Sequence, residues 1–361
     1  MNGTSIQWCH DSVNPVMGCT GCELWPSRSK IIVILRELLP PLTLSTQEEV
    51  NGHLVQIFGD RSTSEVYRDR EEIADNLAKK LDLSRYGREQ VIDAIRRECK
   101  CYAGFLGSNR AGNKGHADNF DEPKMFPGRM AEAANWGEPT AKQIEDKSWL
   151  AGLRRLIFVS DMGDALSKGI PFEYLHQEII ESVNSPKGQR HTWLWLTKRP
   201  GHMAEFGKWL AERGIAWPDN LMAMTTVTSQ ATASRITALR QVPAKLKGLS
   251  VEPLFEKVNL DLQGINWVIA GGGSDILAEP FHVEWALDLQ QQAKAAGAAF
   301  FLKQLGRHPF YQGKPLALND EHGGDWSEWL TEWRVREFPA GFRASTGGSV
   351  REDGIAGGPA A

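Results

Sequence analysis

Cys19 and Cys22, with Cys101 far downstream, are the residues in this chain best suited to chemistry. Cys19-Thr20-Gly21-Cys22 is a Cys-x-x-Cys pair that follows a turn-rich stretch, Asn14-Pro15-Val16-Met17-Gly18. Cys101 opens a Cys-Tyr-Ala run after a long intervening segment. Three thiolates suit a metal centre with one position left open, and an open position is what separates a reactive metal from a structural one. Three readings stand side by side. Cys19, Cys22, Cys99 and Cys101 together are enough for a closed zinc site. Three of them suffice for an iron–sulfur cluster whose fourth iron is free to bind a small molecule. All of them also suit the role of ordinary buried thiols.

A reactive centre needs a rigid frame. From about residue 154 onward the chain repeats a short β-rich run, a polar turn and a helical stretch. The β runs cover 156–160, 192–196, 221–225, 247–251, 267–271 and 299–303, and most are near-continuously apolar. That pattern predicts parallel strands buried on both faces. The stretches 171–184, 201–213, 232–241 and 283–296 read as the helices between them. Two weaker candidates upstream, 5–8 and 124–126, bring the strand count towards eight. The expected fold class is α/β, a parallel (β/α) barrel of six to eight strands.

Polar residues or glycines follow each run: Ser160-Asp161-Met162-Gly163-Asp164, Thr197-Lys198-Arg199-Pro200, Thr225-Thr226, Ser250-Val251-Glu252-Pro253, Gly271-Gly272-Gly273 and Lys303-Gln304. Sites in parallel α/β folds form at these carboxyl ends. The cations Lys198 and Arg199 suit a carboxylate or a phosphate, with Asp161 and Asp164 placed to pair with them. Glu252 is a carboxylate on a rigid turn, and Lys303 finishes the last strand. Residues 26–98 break the pattern and read as a helical insertion. The division is therefore 1–25 (first strand and cysteine loop), 26–98 (insertion), 99–343 (the rest of the barrel) and a disordered tail at 344–361.

The 361 residues include 41 basic and 45 acidic side chains, a net charge of −4, which argues against strong nonspecific nucleic-acid binding. No signal peptide or membrane span is expected, and the five cysteines do not suggest a disulfide framework. The expected setting is the cytoplasm, with no membrane partner. No Gly-x-Ser-x-Gly elbow, P-loop or His-Glu-x-x-His helix is present to support a plain α/β-hydrolase-type or other barrel enzyme with no metal.

The chain resembles a phage-associated family of unknown function with an N-terminal three-cysteine motif, itself similar to the radical S-adenosylmethionine (SAM) enzymes. The resemblance runs through Gln7-Trp8, Asn14-Pro15-Val16-Met17-Gly18-Cys19, Cys101-Tyr102-Ala103 and Phe120-Asp121-Glu122-Pro123 with Arg129. It continues through Ile157-Phe158-Val159-Ser160-Asp161-Met162, Leu196-Thr197-Lys198-Arg199-Pro200, Ser250-Val251-Glu252-Pro253-Leu254, Trp267-Val268-Ile269-Ala270-Gly271-Gly272 and Phe301-Leu302-Lys303-Gln304-Leu305-Gly306. It implies a partial or complete barrel and a [4Fe-4S] cluster on three cysteines. SAM would chelate the open iron and yield a 5′-deoxyadenosyl radical that abstracts hydrogen from a substrate. SAM, an electron donor and a substrate are the implied partners, and the phage association suggests a nucleotide or nucleic acid as that substrate. Thr197, Lys198, Arg199, Ser250, Glu252, Gly271, Gly272 and Lys303 are the expected cofactor-binding residues.

The chain departs from the family pattern in two respects. The usual compact cysteine loop is split, because Glu98 stands three residues before Cys101. Cys19, Cys22 and Cys101 are therefore the expected ligands, with Cys99 as the alternative to Cys22 and Cys9 buried in the first strand. Gly273 also stands where the family often carries an acidic residue, and Thr225-Thr226-Val227 lacks a nearby carboxylate. The rival reading is a non-catalytic metal-binding or nucleic-acid-associated barrel protein of phage or mobile-element origin.

Overall fold

The computed structural model describes residues 4–39, 47–275 and 277–343, so the tail expected from residue 344 lies outside the described residues. Seven parallel strands form one sheet in sequence order: β1 (Asp11–Val13), β2 (Leu156–Val159), β3 (Thr192–Thr197), β4 (Leu221–Thr226), β5 (Lys247–Val251), β6 (Trp267–Gly271) and β7 (Ala299–Gln304). Six of these lie where the apolar runs predict them. Alternate side chains enter two different cores, as the two-residue period of a strand requires. Ile157, Trp193, Trp195, Ala223, Leu249, Val268 and Phe300 face outward and pack with helices such as Pro200–Ala211 and Val283–Ala295. Leu156, Phe158, Leu194, Met222, Met224, Trp267, Ile269 and Phe301 face inward and fill the floor of the concave side with Trp8.

Three expectations need correction. The first strand is not residues 5–8 but Asp11–Val13, which pairs with Ile157–Val159. Lys124–Met125 does not enter the sheet; it pairs antiparallel with Val16–Met17. The sheet is also an open half-barrel, not a closed one: β1 and β7 are its two edges and do not pair. The edge of β7 is taken by the segment that follows. Leu302 N–H donates to Val335 O (2.8 Å) and Glu337 N–H to Phe300 O (2.9 Å), so no hydrogen-bonding edge is left for β1. The same segment then crosses to β2, where Arg154 N–H donates to Phe342 O (3.0 Å). Side chains fill the seam. The Arg336 guanidinium lies 3.8 Å from the Trp149 ring centroid and 4.3 Å from that of Trp326. Phe338 and Phe342 pack on Trp267 at 5.4 and 5.3 Å. Among the described residues no helix is long and apolar enough to cross a membrane.

Short β1 is held by buried polar groups. Asp11 and Arg155 form an ion pair from which water is excluded, and Arg155 also donates to Gly137 O (2.6 Å) and Glu138 O (2.7 Å). Beside it, His10 Nδ1 accepts from Leu156 N–H (2.9 Å), so the ring is neutral. Burial, with Arg155 and Lys147 nearby, pushes its pKa down to about 3. The unfolded chain therefore takes up this proton near the ordinary histidine value while the folded chain refuses it. The stability His10 contributes is present above about pH 6.5 and is lost as pH falls towards 3, with about 3 kcal/mol gone by pH 4. Urea midpoints at pH 7 and pH 4 measure this. His10→Asn, which keeps an acceptor, is expected to flatten the slope, and an unchanged slope would refute the assignment.

Between the cysteine loop and Cys101 lie, among the described residues, five helices: α1 (Arg28–Leu38), α2 (Gln47–Phe58), α3 (Thr63–Arg68), α4 (Arg70–Leu81) and α5 (Arg85–Glu98). Ser27, Ser62 and Ser84 cap α1, α3 and α5, and Ser62 with Glu65 forms a capping box. Their apolar faces share a third core with Cys19, Cys99, Trp25 and Phe120, so the insertion packs directly on the cysteine loop.

Candidate functional site

The cysteine loop is pinned from several sides. Gly18 N–H donates to Met162 O (3.2 Å), and Cys19 N–H to Phe120 O (2.7 Å). Gly18 has φ +91°, and a Cβ there would lie 2.7 Å from Phe120 O, so only glycine lets the loop approach this closely. Cys22 and Trp25 exchange two backbone hydrogen bonds of 3.1 Å. Trp25 Nε1 donates to Asp121 Oδ1 (2.7 Å), and its ring packs on Gly104 of α6 (Tyr102–Asn109), where a Cβ would come within 2.5 Å. Cys101 is the N-cap of α6, and its Sγ accepts from Gly104 N–H (3.4 Å). Glu23 makes a two-pronged ion pair with Arg235 (2.9 and 2.6 Å), tying the loop to the end of β4.

These contacts put Cys19, Cys22 and Cys101 within electrostatic reach of the ammonium of Lys198. Burial pulls that ammonium down, but the negative charge that Cys101, Cys22 and Cys19 would carry as thiolates, together with Asp164, outweighs it and holds its pKa above the ordinary lysine value. Burial pushes the Cys22 thiol up to about 11 and raises Cys101, with Lys198 opposing both. Cys99 lies elsewhere. It ends α5 and is buried in the core of the insertion, where burial, Asp121, Glu98 and Cys101 raise its thiol and Arg70, not Lys198, is the cation opposing them. Cys9 is fully buried but sits just before β1, not in it. Among the described residues no three His, Cys, Asp or Glu side chains stand close enough to hold a single metal ion.

The two cations after β3 face different tasks. Arg199 Nη1 and Nη2 lie 3.4 and 3.5 Å from Cys19 Sγ, and the same guanidinium reaches Asp164 Oδ2 (2.8 Å), Thr20 Oγ1 (2.8 Å) and Gly21 O (2.9 Å). Thr197 donates its hydroxyl to Asp164 and receives Arg199 N–H, so it orients Arg199 from below the site. Asp164 thus takes the partnership expected of it. Asp161 does not: it accepts from Ser12 (2.9 Å) and Asn14, and burial raises its pKa.

Strand parity places Lys198, Ser250, Glu252, Gly271 and Lys303 on the concave face, above its aromatic floor. Ser250 Oγ donates to Glu252 Oε2 (3.1 Å), and Lys303 Nζ stands 3.1 Å from Glu252 Oε1. That second contact is an ion pair without hydrogen-bond alignment, and Glu252 Oε1 is left a buried acceptor with no hydrogen bond. Ser160 Oγ and Trp8 Nε1 are buried without partners too. Buried polar atoms left without a partner call for a ligand or water. The glycines have a nearer reason. A Cβ on Gly271 would lie 3.0 Å from Glu252 Oε1, and one on Gly272 would lie 2.5 Å from Leu305 O. Their missing side chains admit the carboxylate and the neighbouring chain.

Sequence reasoning missed Ser12, which register puts on the same face opposite Phe158; Thr226, one of the polar residues at the strand ends, falls on that face by parity. It also missed Lys100, which bridges the mouth by pairing with Glu279 (3.0 Å) over the Phe255 ring (4.8 Å). Only contacts between distant segments reveal these roles.

Among known families, residues 92–332 match the profile described as "Protein of unknown function (DUF5131)". The match takes in Cys101 and the ends of β2 to β7, while Cys19 and Cys22 precede it. No curated protein and no solved structure matches the chain.

Proposed function

We propose, for a chain that belongs to the DUF5131 family of unknown function, that the mouth of the half-barrel is the site of a radical-SAM-like iron–sulfur enzyme. The observation that carries the reading is the gathering of Cys19, Cys22 and Cys101, from both sides of the insertion, around Lys198. The donor set suits a [4Fe-4S] cluster. It offers three thiols, two cations to offset the charge of thiolates, and N–H donors directed at sulfur from Arg199 and Gly104. A cluster bridges thiols too far apart to share one ion, so the lack of a single-ion site does not count against it.

Cys19, Cys22 and Cys101 would hold the cluster, which together with SAM supplies a radical able to abstract hydrogen. Lys198, whose charge is felt by all three thiols, suits the carboxylate of SAM; Glu252, held by Ser250 and Lys303, suits its ammonium or ribose hydroxyls. The aromatic floor and the filled seam keep bulk water away from reactive species. The substrate proposed is a nucleotide or nucleic acid, a class suggested by the family resemblance.

The test is anaerobic reconstitution with iron and sulfide, followed by electron paramagnetic resonance with and without SAM. A cluster signal that changes on adding SAM is expected. Failure to form a cluster would refute the reading, and a cluster indifferent to SAM would favour a non-catalytic metal-binding protein.

A further inference from the structure

We infer that Arg199, with Lys198 beside it, sets the electron affinity of the thiol site by donating N–H hydrogen bonds to Cys19 sulfur, an inference that rests on the cluster reading above. Arg199 is the one side chain among the described residues recorded as a hydrogen-bond donor to any of the three gathered sulfurs, at 3.4 and 3.5 Å. Its guanidinium is not free to turn away. Asp164 Oδ2 holds one prong at 2.8 Å, while Thr20 Oγ1 and Gly21 O hold the other at 2.8 and 2.9 Å. Asp164 is itself fixed by Thr197 (2.9 Å), Lys198 N–H (3.1 Å) and Leu166 N–H (3.0 Å). Lys198 adds a second positive charge, and among the described residues its Nζ has no hydrogen-bond acceptor.

One-electron reduction of an iron–sulfur cluster adds negative charge to the irons and their thiolates. Fixed cations and N–H donors aimed at sulfur stabilise that reduced form more than the oxidised one, so they raise the reduction potential. Arg199 is a positioning residue in this sense. It acts through Cys19 and needs no contact with the substrate. The competing role is a brace for the loop through Thr20 and Gly21, which would affect iron uptake but leave the potential of a loaded site unchanged.

The experiment compares the reconstituted full chain with Arg199→Gln, Arg199→Lys and Lys198→Gln in redox titrations followed by electron paramagnetic resonance, with iron per chain measured in each. The expected order of potential is wild type, then Arg199→Lys, then Arg199→Gln, with Lys198→Gln also below wild type. Resonance Raman spectra of the wild-type cluster in H2O and D2O should show deuterium-sensitive iron–sulfur bands that Arg199→Gln loses. A fully loaded Arg199→Gln at the wild-type potential would overturn the inference. If Arg199→Gln takes up no iron, an unshifted Lys198→Gln together with deuterium-insensitive wild-type bands overturns it. A wild type that binds no iron overturns the cluster reading, and this inference with it.

Discussion

Cys22→Ala is expected to empty the site of iron, and Cys99→Ala is not. After reconstitution, iron should fall from about four atoms per chain to background in Cys22→Ala, Cys19→Ala and Cys101→Ala. It should stay near the wild-type level in Cys99→Ala. Cys22 shares Lys198 with Cys101 and Cys19, whereas Cys99 points into the helical core, beside Asp121 and Glu98. The expected cost of Cys99→Ala is one of packing alone, about 1 kcal/mol for a small buried side chain. Chelator assays of iron and a denaturation curve separate the two effects. Full iron in Cys22→Ala would remove Cys22 from the site.

The second large effect concerns stability. Asp11→Ala should destabilise the fold by about 3–5 kcal/mol, because it leaves the buried Arg155 guanidinium without its anion. Gln143 Nε2, which donates to both Asp11 oxygens at 3.1 and 3.3 Å, loses its acceptor as well. The double replacement Asp11→Leu with Arg155→Met should cost less than the single one, since no lone charge remains buried. Denaturant midpoints of the two variants and wild type decide the matter. A single replacement no worse than the double would show that the pair carries no such burden. Because β1 has only three residues, its loss also frees Ser12, which supports Asp161 at the mouth.

The strands that could be read from sequence are those whose surroundings are apolar on both faces. Thr192–Thr197 and Trp267–Gly271 announce themselves because nearly every residue is buried. Asp11–Val13 gives no such signal: Asp11 is there for Arg155 and Ser12 for Asp161, so a strand with polar duties looks like a loop. Closure was illegible for a different reason. Whether β7 meets β1 depends on what else takes its edge, and the pairing of residues 335–337 leaves no periodic mark. At the site, Lys198 and Glu252 could be picked out by type and by position at strand ends. The contact of Arg199 with Cys19 could not, because it joins residues 180 positions apart. The glycines 271 and 272 were legible as a close approach, but what approaches is Glu252 and Leu305.

The seam between β1 and β7 also bears on the order in which the molecule is made. All seven strands leave the ribosome before residues 335–343 do. Until that stretch emerges, a nascent chain holds an unroofed trough with Trp267 and Phe301 lacking Phe338 and Phe342 as cover. Apolar surface exposed in this way is aggregation-prone, and a chain truncated before residue 335 is expected to keep it exposed. The segment 335–343, made after every strand of the sheet, is therefore the one that closes the trough.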